Sequence, residues 1–202
     1  HSIKHFHYNH ITIDLSNAAR VKEFEFPDLD KKHITRLVLV NNAAILGPVG
    51  RIGKQNEEDI VTHLQTNLVS VLLLTNKFIK KFIHHPSPDK IIVNISSGAG
   101  HIPIDAWAMY CASKAGIDMM SRVIEVEQQQ GVKYPFKVYS VAPGIIDTAM
   151  QDEIRKVNPK EFNRVGDFIK YKKENLLKSP TQSAKELVQL IHSGSKDVIV
   201  SF

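Results

Sequence analysis

The stretch SSGAGHIPIDAWAMYCASK, residues 96–114, joins the end of an apolar run to the start of a helical pattern. Tyr110 and Lys114 are four residues apart in that helical pattern, so both side chains leave the same face of one helix. Ser97 ends the run KIIVNISS, whose apolar and β-branched residues predict a buried strand. A serine at the carboxyl end of a strand, facing a tyrosine and a lysine on the next helix, predicts a proton-transfer site.

Tyr110 is the candidate proton donor of this site. The pKa of a free tyrosine is about 10, and a nearby ammonium favours the phenolate and so lowers that pKa toward neutral values. The alternative is a core tyrosine beside a surface lysine, because an isolated YxxxK pattern is common by chance. The tyrosine–lysine spacing alone therefore leaves both interpretations open.

Three further segments extend the pattern: NNAA at residues 41–44, Asn67 within QTNLVSV, and APGIIDT at residues 142–148. With the serine, tyrosine and lysine above, their order and intervals resemble the short-chain dehydrogenase/reductase family over nearly the whole chain. The segments PGIIDTAMQDEIR and AWAMYCASKAG are most similar to sepiapterin reductases and the related benzil-type diketone reductases. The resemblance implies a Rossmann-like α/β fold, with a doubly wound parallel sheet in three α/β/α layers.

The resemblance also implies a reaction, the NAD(P)H-dependent reduction of a small-molecule ketone or diketone. In this family a serine hydrogen-bonds the carbonyl oxygen and a tyrosine donates the proton as general acid. A lysine lowers the tyrosine pKa and holds the nicotinamide ribose, and an asparagine positions a relay water. The implied catalytic residues are Asn67, Ser97, Tyr110 and Lys114.

Cofactor contacts are implied along the carboxyl ends of the strands, where ligands bind in open α/β sheets. By resemblance, the cofactor-binding residues are Asp14, Leu15, Asn42, Ala43, Tyr110, Lys114, Pro143, Gly144, Ile146 and Thr148. The family's NNAG motif ends here in an alanine, Ala44. NADP is the expected cofactor by subgroup, and NAD stays open because the family's discriminating charges precede the motifs found here.

Substrate contacts follow from the same resemblance, with residues 149–178 expected to form a mobile substrate lid. The implied substrate-binding residues are Ser97, Gly98, Trp107, Tyr110 and Met150. For Trp107 the alternative is a purely core position. Ser201 stands where sepiapterin reductases carry an aspartate that anchors the pterin, which favours an apolar, aromatic ketone or diketone.

The family's opening Gly-rich turn, TGxxxGxG, is not found in the 202 residues. The first predicted strand is HITIDL, residues 10–15, which resembles the third strand of the family. The fold is thus expected to lack the first β-α-β unit. A chain truncated at its start is favoured over a natural variant, because losing strands 1 and 2 would detach strand 3.

Length and composition predict one domain, residues 1–202, that is 43% hydrophobic. The net charge of +5 comes from scattered lysines and arginines, so no nucleic-acid surface is predicted. No apolar run approaches the ~20 residues that span a bilayer, and residues 1–10 have no signal-peptide pattern. With Cys111 as the single cysteine, we expect a cytoplasmic protein. His5 and His7 lack a third ligand, so no metal site is predicted.

Two predicted helices, residues 57–83 and 108–130, are apolar on more than one face. We therefore expect a homodimer or homotetramer, with Val71 and Met120 at the interface. The main alternative to an enzyme is a non-catalytic Rossmann-fold binding or scaffold protein. A third possibility is alcohol oxidation by the same residues, because hydride transfer is reversible.

Overall fold

The computed structural model describes residues 8–29, 34–87 and 89–202. Its helices in chain order are α1 (Ala18–Glu23), α2 (Glu57–Leu64), α3 (Ser70–Phe82), α4 (Ala108–Gln128), α5 (Ala149–Lys156), α6 (Val165–Lys173) and α7 (Pro180–Ser193). Its strands are β1 (Arg36–Asn41), β2 (Asp89–Ile95), β3 (Lys137–Ala142) and β4 (Ile199–Ser201). These strands form one parallel sheet in the order β1-β2-β3-β4.

Helices cover both faces of the sheet, which is why β2 and β3 are almost wholly buried. Alternate side chains of a strand point to opposite faces. Ile92 lies in a cluster with Phe78 and Phe82 of α3, and the neighbouring Ile91 and Val93 pack toward α7. The predicted doubly wound parallel α/β fold is confirmed.

The predicted strand at residues 10–15 is wrong, because none of these residues is in a strand. The Asp14 carboxylate instead accepts hydrogen bonds from the backbone N–H and hydroxyl of Ser16, and Asn17 then caps α1. This turn chemistry competes with an extended backbone. A strand also requires a neighbour for its N–H and C=O groups, and no described residue pairs with this segment in the sheet.

The predicted helix over residues 57–83 is continuous but not uniform. A π-helical turn, Gln65–Val69, separates α2 from α3, and the Ser70 N–H reaches back to the Gln65 carbonyl. Such turns insert one residue into a helix and are frequent at functional sites. This one contains Asn67.

The predicted helix over residues 108–130 agrees closely with α4, and the ends of α4 and α7 have local causes. Gly131, with a φ of +73°, follows the end of α4. Ser179 caps α7 with Pro180 in its first turn, and Gly194 ends it. The capping serine and proline therefore set the start of α7, and the glycine sets its end.

Candidate active site

The end of β2 and the start of α4 bring the predicted serine, tyrosine and lysine to one edge of the sheet. Ser97 follows β2 and opens a 3₁₀ turn, Gly98–Gly100, with its Oγ accepting from the Ala99 N–H at 3.2 Å. The Lys114 Nζ donates to the Ile95 carbonyl at 2.8 Å and lies 5.5 Å from the centre of the Tyr110 ring. This bond ties the second turn of α4 to the end of β2.

The two titratable groups of this site are both buried, and burial governs both pKa values. Burial raises the pKa of Tyr110, and a hydrogen bond with the Ser97 side chain only partly offsets it. Burial lowers the pKa of Lys114 to about 8, against an opposing effect of Asp118. The expected net lowering of the Tyr110 pKa is therefore wrong for this structure. The phenol is held in its protonated form, the form that a general acid requires.

Asn67 is buried, with 1% of its surface exposed, and its amide is fully used. Its Oδ1 accepts from the Ile45 N–H at 2.9 Å, and its Nδ2 donates to the Ile45 carbonyl at 2.7 Å. The amide thus holds both backbone groups of one residue in the loop that follows β1. It is not a solvated asparagine on a helix surface.

His63 belongs to this site and was missed from the sequence. It is 0% exposed, its Nε2 lies 3.0 Å from the Nδ2 of Asn67, and its ring meets the Tyr110 ring edge-on at 6.2 Å. Burial and the positive charge of Lys114 lower its pKa to about 4, so the ring is neutral. The available signal was its spacing of four residues from Asn67, which places both on one helix face.

Apart from Tyr110 and Lys114 on α4, the residues predicted to bind a cofactor lie on loops and turns. Asn42 and Ala43 are exposed directly after β1, and Pro143 and Gly144 come directly after β3. Gly144 has a φ of +82°, a left-handed conformation that favours glycine.

The other predicted cofactor residues lie on flanking turns. Ile146 pairs with Lys178 in a parallel bridge, and Thr148 caps α5 without a side-chain bond to its first turn. Asp14 and Leu15 lie in the turn before α1, where the Gln65 Nε2 donates to the Leu15 carbonyl at 3.3 Å. That bond connects the turn to the π-helical segment.

An aromatic cluster encloses the tyrosine on the side of residues 149–178. Trp107 is buried, stacks on Phe162 at 5.4 Å and meets the Tyr110 ring edge-on at 5.4 Å. Met150 packs against this cluster, whereas Gly98 is exposed and outside it. Trp107 is therefore both a core residue and a neighbour of Tyr110.

The described residues lack the features of two other classes of site. They contain no group of three or more His, Cys, Asp or Glu side chains placed to hold a metal ion. Within the same residues no helix has the length and apolar character needed to cross a membrane. His5 and His7 lie outside the described residues.

The profile of one protein family covers most of the chain. The profile of the short chain dehydrogenase family matches residues 3–159, well over half of the chain. The chain belongs to the short-chain dehydrogenase family. The resemblance inferred from the motifs is thereby confirmed, and the chain is an oxidoreductase of this family.

Two groups of relatives within the family stand out. A benzil reductase ((S)-benzoin forming) from Bacillus subtilis is 34% identical over 185 residues, 92% of this chain and 75% of that protein. The sepiapterin reductase of Rattus norvegicus is 36% identical over 143 residues, 69% of this chain. The chain spans only 51% of the length of that sepiapterin reductase.

Solved structures of the family share the fold. A short-chain dehydrogenase/reductase from Saccharomyces cerevisiae has a TM-score of 0.76 at 25% identity, covering 95% of this chain and 75% of its own. A 4-hydroxyisoleucine dehydrogenase complexed with NADH has a TM-score of 0.72 at 23% identity, covering 95% and 75%. A Shigella flexneri short-chain dehydrogenase complexed with NADP has a TM-score of 0.69 at 21% identity, covering 94% and 72%.

Proposed function

We propose that this protein is an NADPH-dependent carbonyl reductase that reduces an apolar, aromatic ketone or diketone. The observation that carries the proposal is the convergence of Ser97, Tyr110 and Lys114 at the carboxyl end of β2, with the phenol held protonated by burial. The benzil and sepiapterin reductases among its relatives support this reaction class.

The residues at this edge of the sheet fit a nicotinamide cofactor. Lys114 uses one hydrogen bond on the Ile95 carbonyl, which leaves ammonium N–H groups for ribose hydroxyls. The Thr148 hydroxyl makes no bond to its own helix and is exposed at the start of α5. The left-handed turn at Gly144 gives the backbone close access to a flat ring. When bound, the reduced nicotinamide supplies hydride to the carbonyl carbon of the substrate.

The side chains supply the rest of the chemistry. The Ser97 hydroxyl donates a hydrogen bond to the carbonyl oxygen, where negative charge develops. The Tyr110 hydroxyl gives its proton to the same oxygen, which becomes the alcohol. The ammonium of Lys114 stabilises the phenolate that remains, and Asn67 holds the adjacent loop in place. In the opposite direction the same groups would oxidise an alcohol.

The aromatic cluster beside Tyr110 favours a flat, apolar substrate. Met150 and Trp107 lie together beside Tyr110, supported by the fully buried Phe162, and a phenyl group of a diketone can pack on these two residues. A pterin would require a carboxylate partner, and Ser201 at the end of β4 supplies none. We therefore propose a benzil-like diketone over sepiapterin, with residues 149–178 as the lid over it.

We further propose a homodimer or homotetramer built on α3 and α4. Val71 and Met120 are buried within the chain itself, so they are not the interface residues that the sequence predicted. Exposed apolar residues flank them on the same two helices and at the end of the π-helical turn. These residues are Val69, Leu72, Met119, Val123 and Val126. They are the contacts that a second copy would cover.

The test is the consumption of NADPH by the full-length protein with benzil, other diketones and sepiapterin. We expect turnover that is fastest with diketones, and a loss of about 10²–10⁴-fold in Tyr110→Phe, the usual size of a general acid's contribution. Equal turnover in that variant would reject Tyr110 as the acid. Binding of NADPH or NADH by fluorescence without any turnover would favour the non-catalytic scaffold protein instead.

A further inference from the structure

The orientation of the Asn67 amide is set by the backbone of Ile45. The Ile45 N–H requires an acceptor and its carbonyl requires a donor, so Oδ1 must face the first and Nδ2 the second. Flipping the amide would place the Nδ2 hydrogens against the Ile45 N–H and Oδ1 against the Ile45 carbonyl oxygen. The Nδ2 atom is therefore fixed as the atom that lies 3.0 Å from His63 Nε2.

This fixes the tautomer of His63. Because Asn67 presents an N–H to it, Nε2 must be the unprotonated acceptor, and the ring proton resides on Nδ1. The Ser113 Oγ lies 3.3 Å from the same Nε2, but its single hydroxyl proton is donated to the Tyr110 carbonyl at 2.9 Å. The Asn67 amide is therefore the hydrogen-bond donor to Nε2. A second proton on the ring would lie against the N–H of the Asn67 amide, and the positive charge of Lys114 would repel it.

The other nitrogen of His63 lies against the loop after β1. Gly47 has a φ of +73°, and a Cβ atom there would lie 2.6 Å from His63 Nδ1. Among the described residues Nδ1 has no hydrogen-bond partner, and it is buried. His63 thus contacts this loop at Gly47 while its i+4 neighbour Asn67 holds the loop at Ile45.

We propose that His63 is a positioning residue that fixes the Asn67 amide and the loop at residues 45–47 beside Tyr110. It acts as a neutral hydrogen-bond acceptor, and its ring edge supports the Tyr110 ring at 6.2 Å. The loop carries Leu46, which packs in the cluster around Tyr110 and Trp107. Displacing the loop therefore displaces the wall of the catalytic pocket. This role rests on the proposed reductase function.

The decisive comparison is between His63→Gln and His63→Leu. The glutamine amide oxygen can replace Nε2 as the acceptor, whereas leucine fills the space with no acceptor. We expect His63→Leu to lower kcat by about 10- to 100-fold, the cost of a small misplacement of catalytic groups, with KM little changed. His63→Gln should recover most of that loss. Full kcat in His63→Leu would overturn the proposal.

A double-mutant cycle with Asn67→Ala tests whether His63 acts through the amide. In the Asn67→Ala background we expect His63→Leu to have little further effect on kcat, because residues that act as a unit are not additive. Additive losses would overturn the proposal. His85→Leu is the matched control, because it removes another buried histidine. His85 accepts from the Ser87 N–H in the turn before β2, so its loss should leave kcat unchanged.

Two glycines test the loop contact if His63→Leu fails to fold. Gly47 and Gly53 both have left-handed φ angles, +73° and +93°, but a Cβ at Gly53 meets nothing within 4 Å. Alanine at either position introduces backbone strain, and only Gly47→Ala also strikes His63. We expect Gly47→Ala to lower kcat much more than Gly53→Ala. Equal effects would overturn the loop contact.

The tautomer can be measured without any activity. In protein labelled with ¹⁵N in its histidine rings, the His63 signals are those missing from the His63→Gln spectrum. We expect the Nδ1–H tautomer with no titration from about pH 6 to 8. An Nε2–H tautomer would overturn the proposal even in an active enzyme. Absent turnover with an Nδ1–H tautomer would reject the reductase function and leave the hydrogen-bond assignment standing.

Discussion

The amino and carboxyl ends of β2 each meet a buried lysine, and the pair can be compared directly. Lys90 and Lys114 are both 2% exposed, and burial lowers the pKa of each to about 8. By burial and by pKa the two are indistinguishable. Only Lys114 lies beside the tyrosine and serine that we propose as catalytic.

The difference lies in what surrounds each ammonium. The Lys90 Nζ donates to the carbonyls of Phe82 and Ile83, both at 3.0 Å, and lies 4.4 Å from the centre of the Phe136 ring. At the end of α3 it therefore satisfies the Ile83 carbonyl and is a second donor to the Phe82 carbonyl, which also accepts from the His85 N–H. Lys114 donates to one carbonyl and keeps N–H groups for a ligand. A shifted pKa shows that a group is out of water, and its free hydrogen-bonding capacity indicates whether it can act.

Replacing each lysine by methionine should produce the largest difference in kcat/KM between the two ends of β2. We expect Lys114→Met to lower kcat/KM for carbonyl reduction by about 10²–10⁴-fold, because the phenolate and the cofactor ribose lose their cation. Lys90→Met should leave kcat/KM unchanged, since the contacts of the Lys90 ammonium among the described residues are with the end of α3 and aromatic rings. Steady-state kinetics on the folded variants checks both. Comparable losses in the two variants would refute the distinction drawn here.

Replacing the serines at the two ends of β2 by alanine should have a smaller effect on kcat. Ser97→Ala removes the donor to the developing alkoxide and should lower kcat by about 10²-fold. Ser87 is also buried, but its hydroxyl donates to the Asp89 backbone at 3.3 Å before β2 begins. Ser87→Ala is therefore the matched control and should retain full kcat. A wild-type rate in Ser97→Ala would remove this serine from the mechanism.

The parts of the fold that the sequence predicts well depend on local patterns. The apolar run of β2 and the helical spacing of α4 are short-range features, so Ser97, Tyr110 and Lys114 could be placed from residue spacing. Ser179 and Pro180 likewise mark the start of α7 through local capping chemistry.

The parts that could not be predicted depend on contacts between distant segments. The π-helical turn accompanies the bonds between Asn67 and Ile45, which lie 22 residues apart. The tautomer of His63 follows from the same bonds. The raised pKa of Tyr110 reflects burial beneath residues as distant as Phe162. The predicted strand at residues 10–15 failed because a strand requires a partner that spacing does not reveal.

The smallest effect should appear in the pH dependence of stability, where the two lysines act alike. Each ammonium has a pKa of about 8 in the folded chain and of about 10.4 when unfolded. Between these values the unfolded chain binds more protons, so the free energy of unfolding rises with pH. Below pH 8 both states are protonated and this contribution is constant.

Urea denaturation between about pH 8 and 9.5, below the titration of exposed tyrosines, would measure this rise. Each lysine contributes a slope of at most about 1.4 kcal/mol per pH unit. We expect Lys90→Met and Lys114→Met each to lose part of the slope, and the double variant to lose most of it. At neutral pH, Lys90→Met should also lose about 1–3 kcal/mol of stability, because the Ile83 carbonyl loses its donor. An unchanged slope in either variant would show that its ammonium is hydrated, and the two ends of β2 would then differ in burial as well as in chemistry.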